Sequence, residues 1–321
     1  MQKSTPIYVA GHTGLAGSAI VRELRRQGFT HLIARTHGEA DLIDYTLTRE
    51  LLLRERPAIM FVAASRVGGI AANSDYPVDF LMQNLALQMS VFRAAHEACV
   101  DRVIFLGSSC IYPRDAPQPL HESALLTGPL EPTNRPYAIA KIAGVEMCWA
   151  YNRQHAHRWL AAMPTNLYGP GDNYDLATAH VLPALLRKAH EAHRAGAREL
   201  RVWGTGSARR EFLHADDLAR ALVLVATLPD ADYALLVGPQ ACPLVNIGSG
   251  EELTIAELAT MIAAVVGFGG RVVYERGRPD GSPRKILDST RMRALGWSPR
   301  IGLAQGLAST YGEFAARTTQ R

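Results

Sequence analysis

A tyrosine and a lysine four positions apart, Tyr137 and Lys141, are the side chains of this sequence that most directly suggest chemistry. On a helix they share one face, where the ammonium group can lower the pKa of the phenol toward neutral pH. Such a phenol can donate a proton to a carbonyl oxygen while the carbonyl carbon accepts hydride. Ser108 and Ser109 end a strand-like run that begins at Arg102, so a serine hydroxyl can hydrogen-bond the same oxygen. Together these residues predict a site that reduces a carbonyl group.

Three glycines separate the first predicted strand, at residues 7–10, from a helical pattern that begins at Ser18. Gly11, Gly14 and Gly17 form a Gly-x-x-Gly-x-x-Gly loop. Small residues there let backbone N–H groups approach a pyrophosphate, and the N-terminus of the following helix faces the anion. The order of strand, glycines and helix therefore predicts a dinucleotide cofactor.

The second predicted strand, residues 31–34, ends at Arg35 and lacks the acidic residue that holds the adenosine ribose in many NAD sites. A cation at that position favours the additional phosphate of NADP, so we predict NADP, with NAD as the alternative. Asp41 can flank the adenine, while Asp44 is equally well explained as the N-cap of a helix.

The composition is that of a globular enzyme. The chain has 321 residues, of which 48% are hydrophobic, and its net charge of +4 is spread along the sequence, which argues against a nucleic-acid footprint. No apolar run reaches about 18 residues and no signal-peptide pattern is found, so we expect a cytoplasmic protein without a membrane segment. The scattered cysteines, Cys99, Cys110, Cys148 and Cys242, indicate neither a metal site nor a disulfide framework.

Strands and helices alternate through the first half of the sequence. This pattern predicts an α/β fold with a Rossmann-like, doubly wound parallel sheet that binds ligands at the carboxyl ends of its strands. The turn-rich stretch 164–171 marks a domain boundary. We assign residues 1–168, with about 214–246, to an NADP-binding domain, and residues 169–213 and 247–321 to a smaller C-terminal α/β substrate domain.

Several segments resemble the extended short-chain dehydrogenases/reductases and, among them, the GDP-L-fucose synthase family of 3,5-epimerase/4-reductases. The matching segments lie at 11–17, 108–113, 131–141, 164–170, 210–214 and 279–285. The glycine loop and the Tyr/Lys pair define only the superfamily. The Ser-Ser-Cys-Ile-Tyr-Pro run at 108–113, the segment 67–70 and His180 discriminate much further.

The resemblance implies a mechanism for a GDP-linked 4-keto-6-deoxy sugar with NADPH as reductant and GDP-L-fucose as product. Hydrogens at C3 and C5 of such a sugar are acidic because the carbanion delocalises into the carbonyl. Cys110 is then the base that inverts these centres, and His180 is the opposing acid. Tyr137 protonates the carbonyl oxygen during reduction, Ser108 holds that oxygen, and Lys141 lowers the pKa of the tyrosine and binds the nicotinamide ribose.

The resemblance also implies ligand contacts and a homodimer formed through the helix that carries Tyr137 and the helix before it. The residues placed at the cofactor are Gly11, Thr13, Gly14, Leu15, Gly17, Arg35, His37, Asp41, Leu42, Leu106, Gly107, Ser108, Ser109, Lys141, Pro164, Asn166, Leu167 and His180. The residues placed at the nucleotide half of the substrate are Lys188, Trp203, Arg210, Arg271 and Lys285. Some relatives carry arginine where this chain has Thr13 and His37, which leaves Arg35 as the main cation for the NADP phosphate.

Three further hypotheses remain open. The same machinery can act, wholly or in part, on a GDP-6-deoxy-4-keto-heptose for capsule or surface polysaccharide, and nothing in the sequence measures the room for the extra carbon. A nucleotide-sugar 4-epimerase is disfavoured because it has no need of Cys110 and His180. A non-enzymatic nucleotide sensor on this fold is disfavoured because the pair Tyr137 and Lys141 is intact.

Overall fold

The computed structural model of the protein describes residues 1–238 and 242–319. Its strands are β1 (Ile7–Ala10), β2 (Leu32–Ile33), β3 (Ile59–Val62), β4 (Arg102–Leu106), β5 (Leu160–Pro164), β6 (Asn166–Tyr168), β7 (Glu199–Trp203), β8 (Arg209–His214), β9 (Leu244–Ile247), β10 (Glu252–Thr254), β11 (Arg271–Glu275) and β12 (Arg284–Lys285). Its helices are α1 (Leu15–Arg26), α2 (Tyr45–Glu55), α3 (Ile70–Asp75), α4 (Pro77–Glu97), α5 (Arg135–His155), α6 (Val181–Arg194), α7 (Ala215–Thr227), α8 (Asp230–Val237), α9 (Ile255–Val266), α10 (Thr290–Ala294) and α11 (Leu303–Thr319).

A six-stranded parallel sheet organises the larger part of the molecule. Its strand order is β2-β1-β3-β4-β5-β9. The central strands are buried along their whole length and apolar except for Arg102 at the start of β4, as expected where helices cover both faces. The chain leaves β1 toward one edge of the sheet and returns on its other side at β3, which creates the crevice where such sheets bind ligands. The predicted Rossmann-like fold is confirmed.

Helices α1 and α7 cover one face of this sheet, and α2, α4 and α5 cover the other. In α1 the residues Ile20 and Leu24 are buried against the sheet, whereas Arg25 and Arg26 are exposed, so the 3.6-residue period of the sequence fixes which face is inward. No helix in the described ranges is long and apolar enough to cross a membrane.

Strand β8 is the centre of a second, smaller sheet. It pairs with β6, β10 and β12, while β7 and β11 form a separate parallel pair. Helices α6, α9 and α11 bury their apolar faces in the core of this part. The chain crosses from the large sheet to the small one at Thr165, between β5 and β6, and returns at the junction of His214 and Ala215.

One segment departs from the predicted domain division. Met292 and Trp297 are buried in the core beside α1 and α7, although the predicted substrate domain included all of residues 247–321. The indole Nε1 of Trp297 donates to the carbonyl oxygen of Asp217 in α7 at 3.3 Å. This segment belongs with the large sheet because its apolar side chains fill space along α7.

A buried carboxylate fixes the segment that precedes α10. Glu211 in β8 is fully buried, and its two oxygens accept hydrogen bonds from the backbone N–H groups of Gly250 (2.7 Å) and Leu287 (3.0 Å). Leu287 also bridges to Leu120, which follows a cis Gln118–Pro119 peptide bond. The stretch 279–288 is therefore held between β8 and the loop that follows β4.

Candidate active site

The side chains predicted for catalysis meet at one cavity of about 240 Å³. Ser108 and Cys110 follow the carboxyl end of β4, and Tyr137 lies in the first turn of α5. His180 is the N-cap residue of α6, and Lys285 enters from β12. All five residues line the cavity, so four separate segments of the chain converge on it.

Lys141 lies beneath the cavity and is buried. Its Nζ donates to the carbonyl oxygen of Leu106 at 2.8 Å and lies 5.7 Å from the centroid of the Tyr137 ring. Burial lowers the pKa of Lys141 to about 8, because desolvation penalises the ammonium more than the nearby Cys110 favours it. The lysine is thereby anchored to the end of β4 and close to the predicted proton donor.

Burial raises the pKa of Tyr137 above its ordinary value, and the proximity of Cys110 raises it further. Hydrogen bonds with the hydroxyls of Ser65 and Ser108 act in the opposite direction but are outweighed. The expectation that Lys141 brings this pKa toward neutral is therefore wrong, since desolvation of the phenolate dominates. The phenol is protonated at neutral pH, which is the form that a proton donor requires.

Cys110 is also buried, and burial raises the pKa of its thiol. The charges of Lys285 and Lys141 and a hydrogen bond with Ser108 oppose this effect without reversing it. The neighbouring cations therefore do not hold Cys110 as a thiolate at rest. Desolvation in the cavity, followed by the charge of Lys285, lowers the pKa of His180, so its imidazole is neutral near pH 7. Lys285 thus faces both members of the predicted acid–base pair.

The glycine loop fits a dinucleotide. Gly11 has φ +80°, and a Cβ there would lie 2.6 Å from the backbone nitrogen of Ala64. A Cβ on Gly17 would lie 2.1 Å from the carbonyl oxygen of Gly11, so only glycine permits this packing of helix on strand. Gly14 caps α1 without a side-chain hydrogen bond, which leaves the first N–H groups of the helix available to an anion.

The cations predicted for the NADP phosphate are already paired. Arg35 forms an ion pair with Glu55 at 2.9 Å and donates to the carbonyl oxygen of Ala34. His37 is 82% exposed, and its Nδ1 lies 3.6 Å from a carboxylate oxygen of Asp41. Leu42, predicted at the adenine, is a buried core residue.

The remaining predicted cofactor residues follow the carboxyl ends of neighbouring strands. Leu106 ends β4 and is followed by Gly107, while Pro164 ends β5. Asn166 and Leu167 belong to β6, and the Asn166 amide donates to the carbonyl oxygen of Glu211 at 2.9 Å. Ser109 and Asn166 also line the catalytic cavity. These positions form the edge at which a parallel sheet binds its ligand.

The far end of the cavity carries cations and an indole. Lys188 in α6, Trp203 at the end of β7 and Arg210 in β8 all line it. The Nζ of Lys188 lies 5.0 Å from the centroid of the Trp203 ring. Arg210 donates to the carbonyl oxygens of Arg209 (2.8 Å) and Asp280 (3.0 Å). These groups suit a diphosphate and the flat face of a base or sugar.

Arg271 does not reach the cavity, so its predicted contact with the nucleotide is wrong. It begins β11, is 74% exposed and forms an ion pair with Glu199. In the pairing of β11 with β7, Arg271 lies opposite Glu199, whereas Trp203 lies opposite Glu275 at the other end. The register of the two strands therefore places Arg271 a full strand length away from the indole.

The structure adds residues in and beside the cavity wall that the sequence did not single out. The guanidinium of Arg278 lies 4.7 Å from the centroid of the Trp203 ring. Glu131 is buried in the cavity wall, where it accepts a hydrogen bond from Ser282 and lies 3.6 Å from Arg114. Glu131 begins the segment 131–141, one of those on which the family resemblance is based. Its place in that segment was the sequence signal that could have identified it. Within residues 1–238 and 242–319 no cluster of His, Cys, Asp or Glu could hold a metal ion.

The fold and the site together indicate which protein family the chain belongs to. The model of the NAD dependent epimerase/dehydratase family matches residues 7–238, and the chain belongs to that family. Within it, the chain resembles GDP-L-fucose synthase 1 of Arabidopsis thaliana, with 50% identity covering 99% of this chain and 96% of the relative. It also resembles GDP-L-fucose synthase of Escherichia coli K12, with 48% identity covering 96% of each chain. The resemblance predicted from the sequence is confirmed.

A solved structure supports the same relationship. The GDP-D-glycero-L-gluco-heptose synthase of Campylobacter jejuni, determined in the presence of NADPH, superposes with a TM-score of 0.89 at 32% identity. The match covers 98% of this chain and 99% of that one.

Proposed function

We propose that this protein converts GDP-4-keto-6-deoxy-D-mannose into GDP-L-fucose by 3,5-epimerisation followed by NADPH-dependent 4-reduction. The observation that carries the proposal is the convergence of Cys110 and His180 on the cavity that also holds Tyr137 and Ser108. A simple carbonyl reductase needs only a proton donor, an oxygen-binding hydroxyl and a lysine. The thiol and the imidazole supply the base and the acid that inversion at carbon additionally requires.

Epimerisation begins with loss of a proton from C3 or C5 to give an enolate on the C4 oxygen. The hydroxyls of Ser108 and Tyr137 donate to that oxygen and stabilise its charge. Because Cys110 and His180 are both neutral at rest, moving one proton from the thiol to the imidazole creates the reactive pair without changing the net charge. The Cys110 thiolate then takes the proton from carbon, and His180 returns one to the opposite face.

Reduction uses the same oxygen. When bound, NADPH supplies the hydride for C4. Tyr137 donates its proton to the C4 oxygen, Ser108 holds that oxygen, and Lys141 lies beside the phenolate that is formed. One set of donors therefore serves the enolate and the alkoxide in turn.

The nucleotide half of the substrate is expected to bind at the far end of the cavity. Lys188 and Arg210 are placed to bind the diphosphate, and the indole of Trp203 can cover the base or the ribose. Arg278, over the Trp203 ring, and Lys285, in the cavity wall, add positive charge. For the cofactor we propose NADP rather than NAD. Support comes from Arg35 and from a GDP-mannoheptose C4 reductase of Campylobacter jejuni, 34% identical, whose structure has NADP bound.

The decisive experiment supplies GDP-4-keto-6-deoxy-D-mannose and NADPH in deuterated water. We expect deuterium at both C3 and C5, stoichiometric consumption of NADPH and the galacto configuration in the product. Reduction without exchange at either carbon would show that Cys110 and His180 are bystanders and that the protein is only a reductase.

A GDP-6-deoxy-4-keto-heptose is the second candidate substrate. Two Campylobacter jejuni proteins, a GDP-D-glycero-L-gluco-heptose synthase and a GDP-6-OMe-4-keto-L-xylo-heptose reductase, each superpose with a TM-score of 0.89 at 32% and 31% identity. The GDP-L-fucose synthases are more similar in sequence, so the hexose is favoured. Comparing kcat/KM for the two sugars decides, and a higher value for the heptose would reverse the assignment.

A homodimer is supported by apolar side chains exposed on two adjacent helices. Val78, Met82 and Met89 in α4 are 57–69% exposed, and Trp149 in α5 is 38% exposed. Pairing of α4 and α5 with their copies would bury this surface as a four-helix interface. Light scattering during gel filtration is expected to give twice the chain mass, and Met82→Glu combined with Met89→Glu to give the monomer.

We further propose a cytoplasmic location. The thiols of Cys99, Cys110, Cys148 and Cys242 are all free, as is usual in a reducing compartment. Fractionation of source cells that recovers the protein outside the cytoplasm would refute this proposal.

A further inference from the structure

The turn that carries Cys110 continues into a buried hydrogen bond. Cys110 lies in one 3₁₀ turn, Ser109–Ile111, and Tyr112 follows it directly. The hydroxyl of Tyr112 donates to Oδ1 of Asn246 in β9 at 2.5 Å, and both side chains are buried. Since β9 is the last strand of the large sheet, this bond ties the turn with the thiol to the edge of that sheet.

The amide of Asn246 is a junction between two loops. Its Nδ2 donates to the carbonyl oxygen of Leu120 at 2.9 Å, so its Oδ1 must be the acceptor for Tyr112. Its backbone N–H donates to a carboxylate oxygen of Glu122 at 3.0 Å. Because Asn246, Leu120 and Glu122 are all buried, water does not compete for these bonds.

Leu120 passes this restraint on to the stretch 279–288, which closes the cavity. Its N–H donates to the carbonyl oxygen of Ile286 (2.8 Å), and its carbonyl oxygen accepts from the N–H of Asp288 (2.8 Å). Lys285 immediately precedes Ile286, and both Lys285 and Cys110 line the catalytic cavity. One amide therefore holds the two segments from which the thiol and the ammonium enter the site.

We propose that Asn246 is a positioning residue for epimerisation, which sets where the Cys110 thiol and the Lys285 ammonium lie in the cavity. This inference rests on the proposed function and deepens it, since it concerns the base of that reaction. Proton transfer from carbon depends steeply on geometry, and a displacement of about 1 Å can cost roughly a hundredfold in rate. Tyr112 and Asn246 act through the turn and do not themselves line the cavity.

The reduction step depends less on this bond. Ser108 directly follows β4, and the end of that strand is fixed by a bond of its own. The N–H of Gly107 donates to the carbonyl oxygen of Ala162 in β5 at 2.9 Å. Ser108 is therefore held by the strand, whereas the position of Cys110 depends on Tyr112 as well. Loss of the Tyr112 bond is expected to impair epimerisation more than reduction.

The test compares Tyr112→Phe with Tyr233→Phe. The first removes the hydroxyl that Asn246 accepts, and the second removes a buried hydroxyl outside the cavity wall, which donates to the carbonyl oxygen of Arg158 at 2.9 Å. Deuterium incorporation at C3 and C5 and single-turnover reduction of an intermediate that is already epimerised are measured in each. For Tyr112→Phe we expect exchange to slow about tenfold and reduction to stay within about twofold. For Tyr233→Phe we expect both rates to match wild type.

A double-mutant cycle tests the route through the amide. Asn246→Ala is expected to lower exchange at least as much as Tyr112→Phe, because it also releases Leu120. Combining the two substitutions should lower exchange no further than Asn246→Ala alone, since the bond is already absent. Effects that multiply would count against the proposal, because the two side chains would then act separately. If Asn246→Ala does not fold, the comparison of Tyr112→Phe with Tyr233→Phe decides alone.

Exchange at the wild-type rate in Tyr112→Phe would overturn the proposal. So would an equal fall in exchange and reduction, because that outcome describes general damage to the cavity. The proposed function is judged separately, by exchange in the wild-type enzyme. If wild type shows no exchange, alkylation of Cys110 by iodoacetamide, measured by peptide mass spectrometry, still reports on the position of the thiol. We expect faster alkylation in Tyr112→Phe, and a rate equal to wild type would refute the inference.

Discussion

The cations at the two ends of the ligand site lie in different surroundings. At the sugar-nucleotide end, Arg210 donates to backbone carbonyl oxygens and Lys188 lies over the ring of Trp203. At the adenosine end, Arg35 is paired with Glu55, and the exposed His37 lies beside Asp41. A cation that is hydrogen-bonded only to neutral groups can bind a phosphate directly. A cation in an ion pair must first release its carboxylate partner. Binding energy is therefore expected to concentrate at the sugar-nucleotide end.

The surroundings of the site also affect the protonation states of the catalytic side chains. Desolvation shifts the pKa values of Tyr137, Cys110, Lys141 and His180 in the direction of their neutral forms. The cavity thus keeps Tyr137, Cys110 and His180 uncharged near neutral pH, while Lys141 stays mostly protonated. Substitutions at this end are expected to change rates by orders of magnitude, and those at the adenosine end by small factors.

The largest effect is expected for Tyr137→Phe, which removes the proton donor but keeps the ring. Reduction should fall about a thousandfold, since general acid catalysis contributes on that scale. Deuterium exchange should be weakened less, because Ser108 still binds the enolate oxygen. A Tyr137→Phe enzyme that reduces within tenfold of wild type would show that another group protonates the alkoxide.

Cys110→Ser is expected to lower deuterium exchange at C3 and C5 by a factor of about a hundred or more, because an alkoxide is far harder to form than a thiolate. Reduction of an intermediate that is already epimerised should continue. Cys148→Ser is the matched control, since it makes the same change at a buried cysteine of α5 that does not line the cavity. Loss of both activities in Cys110→Ser would indicate structural damage.

Arg210→Met tests the half-buried cation at the nucleotide end. We expect KM for the GDP-sugar to rise roughly 10- to 100-fold, because a diphosphate contact is lost from a guanidinium that is partly shielded from water. Arg210→Lys should recover only part of this, as lysine lacks the planar fork. The KM for NADPH should not change, and an equal rise in both KM values would argue against a contact specific to the sugar nucleotide.

The pH profile of reduction reports on Lys141. Its pKa of about 8 lies below the ordinary value, so Lys141 is mostly protonated at pH 7 and loses its charge as the pH rises through 8. We therefore expect the single-turnover reduction rate to decline above about pH 8. Lys141→Arg keeps the charge at all these values and should remove that decline, whatever its overall rate. A wild-type rate that stays level to pH 10 would contradict this prediction.

The smallest effect is expected at the adenosine end. Arg35→Ala should raise KM for NADPH only about threefold, because a partly exposed ion pair with a phosphate contributes little. Glu55→Gln, which frees the arginine, should lower KM for NADPH relative to that for NADH. A rise of a hundredfold or more in the KM for NADPH of Arg35→Ala would contradict the expected difference between the two ends of the site.

Local signals in the sequence were sufficient for much of the fold and part of the site. The glycine loop lies between β1 and α1 as its spacing predicts, because each of those elements is specified by neighbouring residues. Tyr137 and Lys141 share a face of α5 for the same reason. Cys110 and His180 were singled out by resemblance, since nothing local distinguishes a reactive thiol from a core cysteine.

Other features depend on contacts between distant segments and could not be predicted from local patterns. Arg271 was misplaced because the register of β11 on β7 is set by tertiary packing. The pKa of Tyr137 rises because the completed cavity excludes water. Trp297 joins the core beside α7 for a reason that appears only when that helix is in place.

The stretch 279–288 has a consequence for biosynthesis. Tyr137 and Cys110 are made in the first half of the chain, yet the cavity is closed by Asp280 and Lys285, which are held in place by Glu211 and Leu120. The nascent protein can thus form its glycine loop and first strands early on the ribosome while it still lacks a wall of the sugar site. Catalysis therefore requires nearly the whole polypeptide to have left the ribosome. Proteolytic cleavage before residue 279 would inactivate the enzyme but leave the glycine loop intact.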